Sequence, residues 1–216
     1  MFTEKEMKSF ENKILNMDCL DFLKKCPDNY FSLVLTDPPY GNEINGVKIE
    51  RTGGSWNNNT IRKKIKDWDF VPDKQYFDEI FRVSKNQIIW GGNYFELPPT
   101  RCFNIWKKLT ISESFSMAMA EYTWTSFNTN AKLWEFQPQD KERFHPTQKP
   151  TKLIEKQILE YSKEGDLILD CFSGSGTTAI ACYNLNRNFI CIEKDKDYYE
   201  ASVKRLEEHK RQGRLF

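Results

Sequence analysis

The stretch Leu167-Ile168-Leu169-Asp170-Cys171-Phe172-Ser173-Gly174-Ser175-Gly176-Thr177-Thr178-Ala179 decides how this chain folds. A short apolar run ends in an acid, a glycine-punctuated turn follows, and a helical stretch over 177–184 takes over. Gly174-x-Gly176-x-x-Ala179 fits the dinucleotide fingerprint, with alanine in the third place. The glycines allow a tight turn and let a ligand approach the backbone, with helix N-terminal amides pointing at it. The next strand ends in Glu193, 19 residues after Gly174, where an acid can take both ribose hydroxyls. Loop, preceding strand, following helix and spaced acid together point to an adenosine-bearing cofactor.

Working outward, strand-like and helix-like runs alternate. Strands are predicted over 13–17, 31–35, 87–90, 167–170 and 189–193, and helices over 20–25, 76–83, 152–162, 177–184 and 197–209. A further pair over 101–106 and 121–125 reads as a hairpin edge. Crossovers of this length suit parallel pairing, so the fold class is an α/β open sheet. Ligands in such sheets gather at the carboxyl ends of the strands, which here carry Asp18, Asp37, Gly91, Asp170 and Glu193.

Two regions break the alternation. Residues 44–66 lack periodicity and hold six basic residues against one acidic. Residues 107–120 and 126–145 are polar or irregular, with exposed-looking aromatics at Phe115, Phe127, Trp134 and Phe136. Irregular segments this long inside a domain are usually functional or disordered.

Composition limits the alternatives. A length of 216 residues predicts one domain spanning 1–216 with small insertions, and 39% hydrophobic residues suffice for its core. The 32 basic and 31 acidic residues nearly cancel, so overall charge says nothing about nucleic acid. No apolar run approaches the ~18 residues of a membrane span, and the charged amino terminus lacks a secretory h-region. Six cysteines without a C-x-x-C pair, and only His145 and His209, argue against zinc or any other metal site. Reduced thiols in a cytoplasmic protein are expected.

NAD and S-adenosylmethionine both carry adenosine, and the glycine loop does not choose between them. Asp170 favours the second, because an acid at that strand end repels a pyrophosphate and attracts the cationic amine of a methionyl group. The other decisive stretch is Asp37-Pro38-Pro39-Tyr40, which follows the strand ending at Leu35. Two prolines fix φ and remove two N–H donors, leaving a rigid, acceptor-rich spot beside a phenol ring. That suits a planar amine: one N–H for the Asp37 carboxylate, one for the Pro38 carbonyl, and Tyr40 stacked on the ring that bears them. An NAD-dependent oxidoreductase would leave this turn unexplained.

These two stretches, with His145-Pro146-Thr147-Gln148-Lys149-Pro150, resemble the motifs of the DNA amino-methyltransferases. Those enzymes move a methyl group from S-adenosylmethionine to an exocyclic base nitrogen. Asp37 to Tyr40 looks like their catalytic tetrapeptide and Asp170 to Thr178 like their cofactor loop, while His145 to Pro150 is similar to the segment before the preceding helix that helps hold the cofactor. Catalytic motif first and cofactor loop last matches the circularly permuted β arrangement. The resemblance covers about residues 13–208. It implies a Rossmann-like class I methyltransferase fold with a mostly parallel seven-stranded sheet.

The resemblance also implies roles. Asp37, Pro38, Pro39 and Tyr40 would be catalytic. Asp18 would contact the cofactor adenine, Glu193 its ribose and Asp170 its methionyl amine. Cys19, Asp37, His145, Thr147, Gln148, Lys149, Phe172, Ser173, Gly174, Ser175, Gly176, Thr177, Thr178 and Lys194 would complete the cofactor site. Adenine N6 is the expected target, because family members with aspartate first in the tetrapeptide are mostly adenine enzymes; cytosine N4 and a catalytically idle DNA-binding subunit are the alternatives. Cytosine C5 chemistry needs a Pro-Cys nucleophile, and the chain has only the reverse order, Cys26-Pro27.

DNA is the expected partner, with Arg51, Arg62, Lys63, Lys64 and Lys66 of the basic loop as the phosphate clamp. Only a small target-recognition region fits within about 107–145. Specificity is then short or relaxed, or a homodimer supplies more surface. A bacterial, phage or mobile-element origin in a restriction-modification setting also follows from the resemblance.

Overall fold

The computed structural model describes residues 1–41, 43–44, 47–48, 71–114, 118–138 and 148–213. Within them the chain runs α1 (Glu4–Phe10), β1 (Lys13–Asn16), α2 (Cys19–Leu23), β2 (Leu33–Thr36), β3 (Glu43–Ile44), β4 (Val47–Lys48), α3 (Lys74–Val83) and β5 (Gln87–Trp90). It continues through β6 (Phe103–Lys108), β7 (Ala120–Thr125), β8 (Lys132–Phe136), α4 (Thr151–Tyr161), β9 (Leu167–Asp170), α5 (Thr177–Asn184), β10 (Asn188–Glu193) and α6 (Lys196–Gln212).

Side chains alternate across a strand, and this sorts the core into two layers. Leu33, Leu35, Ile88, Trp90 and Ile168 join one cluster with Leu153, Ile154 and Ile158 of α4, Ala179 to Cys182 of α5, and Leu206 of α6. Their strand neighbours Val34, Ile89 and Leu169 join the other, with Met7 of α1, Phe22 and Leu23 of α2, and Tyr76, Phe77, Ile80 and Val83 of α3. Among the described residues, three helices therefore cover each face. Every residue of β2 and β5 is buried, as expected of parallel strands covered on both sides.

The sheet order is β1-β10-β9-β2-β5-β7-β6-β8, with β3 and β4 forming a separate antiparallel pair. Among the described residues, only the β5–β7 and β7–β6 pairings in the large sheet are antiparallel, so β7 alone of these strands runs against the rest. This is the Rossmann-like α/β architecture expected, with eight strands rather than seven.

The eighth strand is β8, within the 126–145 stretch read from sequence as irregular. Only Trp134 of its five residues is buried, so the run carries no apolar period to announce it. The β6–β7 pair is antiparallel as expected but is not the edge, because β8 pairs with β6 beyond it. Trp134, read as exposed, packs in the core, and Phe127 and Phe136 lie partly buried against it. The amino-terminal helix α1 was also not assigned from sequence. Its signal was the capping box: the Thr3 hydroxyl accepts from the Glu6 amide at 3.3 Å while the Thr3 amide donates to Glu6 Oε2 at 2.8 Å.

The order places a topological switch between β9 and β2. From β9 the chain crosses through α5 to β10 on one side; from β2 it crosses through α3 to β5 on the other. The register pairs Val34 with Leu169, so Asp170 and Asp37 emerge from neighbouring strands at the same sheet edge. Such a switch opens a crevice outside the strand ends, where ligands of open α/β sheets bind. Among the described residues, no helix is long and apolar enough to cross a membrane.

Candidate active site

Asp170 ends β9 buried, accepting the Phe172 amide at 3.1 Å on Oδ1 and the Thr178 hydroxyl at 2.6 Å on Oδ2. Burial pushes its pKa up to about 7, more than those two bonds pull it down, and the Asp37 and Glu193 carboxylates push the same way. Glu193 ends β10 and ties the turn together: Oε2 accepts the Gly174 amide and Oε1 the Asp195 amide, each at 2.8 Å. Burial raises its pKa as well. Gly174 sits at φ +49°, a left-handed conformation that glycine adopts without strain.

The other loop residues divide by task. The Ser173 Oγ is buried and meets no hydrogen-bond partner among the described residues, which leaves a polar atom for a ligand. Ser175 and Thr177 instead face the fold. Their hydroxyls lie 2.9 Å apart, and Arg205 of α6 donates to the Ser175 carbonyl at 3.0 Å and to the Thr177 hydroxyl at 3.1 Å. Gly176, at φ +73°, gives room to α6, since a Cβ there would stand 3.1 Å from that of Ser202. Phe172 packs on Tyr76 with ring centres 5.2 Å apart.

Asp18 caps α2, Oδ1 accepting the Leu20 amide at 2.9 Å, while Oδ2 pairs with the Lys194 ammonium at 3.0 Å. Burial, with the Asp18 charge beside it, pushes the neighbouring Cys19 thiol up to about 12, so it is a neutral group and no nucleophile. All six cysteines are free thiols.

The donor set fits S-adenosylmethionine. The Asp37 and Glu193 carboxylates both act electrostatically on Asp170, and this clustering of acids favours a cationic amine and sulfonium and opposes a pyrophosphate. Among the described residues no cluster of three metal-ligating side chains occurs.

On the β2 side, Asp37-Pro38-Pro39-Tyr40 forms the facing wall. The Tyr40 hydroxyl donates to Asp37 Oδ1 at 2.5 Å. Burial and the adjoining carboxylate push its pKa well up, so the phenol stays a donor. Its ring stacks on Tyr94 at 4.8 Å between centres and 21° between planes, with Phe95 edge-on at 6.1 Å. Tyr94 and Phe95 come from the turn after β5, and sequence reading missed both; the visible signal was the Gly91-Gly92 pair closing that strand.

The other Asp37 oxygen, Oδ2, is held by the Lys149 ammonium. Lys149 also faces Glu121 Oε2 at 3.4 Å and the Trp90 ring at 4.5 Å from its centre. Glu121 in turn bonds Lys108 at 2.7 Å, and Lys108 lies 5.2 Å from the centre of Trp106. Burial opposes the charge on Lys149, yet Asp37 and Glu121 outweigh it and raise its pKa. Burial likewise opposes the charge on Glu121, and the two ammonium groups outweigh it and lower its pKa. Lys149, expected among the cofactor ligands, thus contacts the tetrapeptide; Gln148 beside it is buried. Neither Glu121 nor Lys108 was singled out from sequence. His145, Thr147, Arg51, Arg62, Lys63, Lys64 and Lys66 lie outside the described residues.

Known proteins share this architecture. Residues 100–204 match the family model described as DNA methylase. The type II methyltransferase M2.MboI of Moraxella bovis is 26% identical, over 96% of this chain and 91% of its own length. The solved M1.HpyAVI–SAM complex superposes with a TM-score of 0.59 at 22% identity, covering 90% of this chain and 98% of that one. PvuII DNA methyltransferase (cytosine-N4-specific) gives a TM-score of 0.64 at 17% identity, covering 89% of this chain and 85% of its own. The fold is the class I methyltransferase fold. The resemblance carried by the three sequence motifs is borne out by this similarity to DNA methyltransferases.

Proposed function

We propose that the protein transfers a methyl group from S-adenosylmethionine to the exocyclic N6 of adenine in DNA. The observation that carries this reading is the meeting of Asp37 and Asp170 at adjoining strand ends, one beside an aromatic wall and the other in a buried acidic turn. Asp170, Glu193, Asp18 and the free Ser173 hydroxyl hold the cofactor. It supplies a methyl activated by the sulfonium: the S–C bond breaks as the N–C bond forms, the sulfur keeps the electron pair, and the amine proton leaves to solvent. The chain's part is positioning and charge placement. Asp37 accepts one amine N–H, the Pro38 carbonyl the other, and Tyr40 stacks on the base.

A paired base hides its amino group, so the target is flipped out or single-stranded. The basic loop 44–66 serves as the phosphate clamp, and DNA affinity should fall steeply with salt. Aspartate at the head of the tetrapeptide supports adenine over cytosine. Similarity to bacterial type II methyltransferases such as that of Moraxella bovis supports a bacterial or phage origin and a role in restriction-modification.

The test is transfer of labelled methyl to DNA, read as nucleosides by mass spectrometry, with Asp37→Ala in parallel. Label in N6-methyladenine, lost in the variant, supports the whole reading. Label in N4-methylcytosine keeps the mechanism and overturns the base. No label on single- or double-stranded DNA, despite cofactor binding, points to an idle subunit.

A further inference from the structure

Each oxygen of the Asp37 carboxylate has a partner: Oδ1 takes the Tyr40 hydroxyl and Oδ2 the Lys149 ammonium. An incoming amine has to replace one of them. Exchanging a neutral hydroxyl for an amine N–H trades one hydrogen bond for another at little net change. Removing the ammonium would leave the buried Lys149 charge and the part-buried Asp37 carboxylate without their main partner. The amine therefore takes Oδ1, and Lys149 stays.

Lys149 is held from behind. Its side chain and that of Lys108 are each 9% exposed, and Glu121 lies between them, giving an alternating chain of Asp37, Lys149, Glu121 and Lys108 against Trp90 and Trp106. Glu121 and Lys108 sit on β7 and β6, so the sheet itself anchors the charge that faces Asp37. The methyl-transfer chemistry uses neither.

We propose that Lys149 is a positioning residue for methyl transfer, which locks one oxygen of Asp37 so that the other receives the base amine, and that Glu121 holds Lys149 in that place. This rests on the reading of the site as a DNA amino-methyltransferase. It differs from a cofactor-binding role for Lys149 in what each would change.

The experiment compares wild type, Lys149→Met, Glu121→Gln and the double variant. S-adenosylmethionine affinity is read by calorimetry, and kcat and KM for DNA by label transfer. Lys149→Met lowers kcat by about 10²-fold, the scale of a misplaced reacting group. Cofactor Kd and DNA KM stay within about twofold of wild type, and Glu121→Gln adds little once Lys149 is gone, because coupled residues are not additive. Glu121→Gln alone, which leaves Asp37 and Lys149 in place, lowers kcat by about tenfold on the same ground and keeps the test open if Lys149→Met does not fold. A weakened cofactor Kd at unchanged kcat, or independent effects of the two substitutions, overturns the proposal. An inactive wild type that still binds cofactor defeats the methyl-transfer reading instead.

Discussion

Gly91 lies so close against the Tyr40 ring that a Cβ built on it would stand 2.2 Å from the ring's Cε1. Its φ of +65° independently disfavours any other residue. Gly91→Ala is expected to push Tyr40 away from Asp37 and Tyr94, reducing methyl transfer by about 10²-fold. Cofactor affinity, set across the crevice, should hold. Wild-type turnover in the alanine variant would show that the ring position does not matter.

Tyr40 combines a stacking face with a hydroxyl on Asp37. Tyr40→Phe keeps the face and frees Oδ1, so its kcat should stay within about tenfold of wild type, the worth of one net hydrogen bond. Tyr40→Ala loses stacking worth ~1–3 kcal/mol per base. The two variants, assayed on one DNA substrate, separate these contributions; equal losses would deny stacking any part.

Asp170 makes the site sensitive to pH. Its folded pKa of about 7 exceeds the ordinary aspartate value of 3.8, so between those values the folded form holds a proton that the unfolded chain lacks. This stabilisation is full below the unfolded value and disappears as pH rises through about 7, on the order of 4 kcal/mol in all. Cofactor binding has the opposite sign, because the cation needs the ionised acid; affinity should fall up to about tenfold per pH unit below 7. Asp170→Asn should raise the melting temperature of the ligand-free protein at pH 8 and lose cofactor binding. Calorimetry and thermal melts at pH 5, 6, 7 and 8 would check both signs.

Arg82 provides a stability change away from the chemistry. Its guanidinium donates to the Cys26 and Leu23 carbonyls at 2.9 and 2.8 Å and pairs with Asp28 and Glu79, closing the end of α2 onto α3. Arg82→Met should cost roughly 2–3 kcal/mol, a fall of about 4–12 °C in melting temperature. Below the transition, kcat should match wild type. A large kcat loss in the folded variant would place α2 and α3 in the mechanism.

The loop after β9 and the turn after β2 were legible because each packs its chemistry into a few adjacent residues with strong backbone preferences: glycines at positive φ, and two consecutive prolines. The strands beside them were legible as continuous apolar runs. The edge strand β8 was not, since one buried tryptophan in five residues makes no pattern, and α1 was not, although its capping box was present in Thr3 and Glu6. Lys149 was singled out as a cofactor residue, while its contact with Asp37 was not read. Its motif suggested the cofactor, whereas its position relative to Asp37 depends on how the crossing before α4 meets the end of β2.

The sequence by itself determined the fold class, the order of the motifs and the acids at the strand ends, because turns, strand periodicity and caps are set by neighbours within a few residues. Only the tertiary structure decided which of those ends meet. Pairing β2 with β9 sets Asp37 beside Asp170, and β5, β6 and β7 bring Gly91 under Tyr40 and Glu121 behind Lys149. Such contacts join residues remote along the chain through sheet order and register, and a local pattern carries neither.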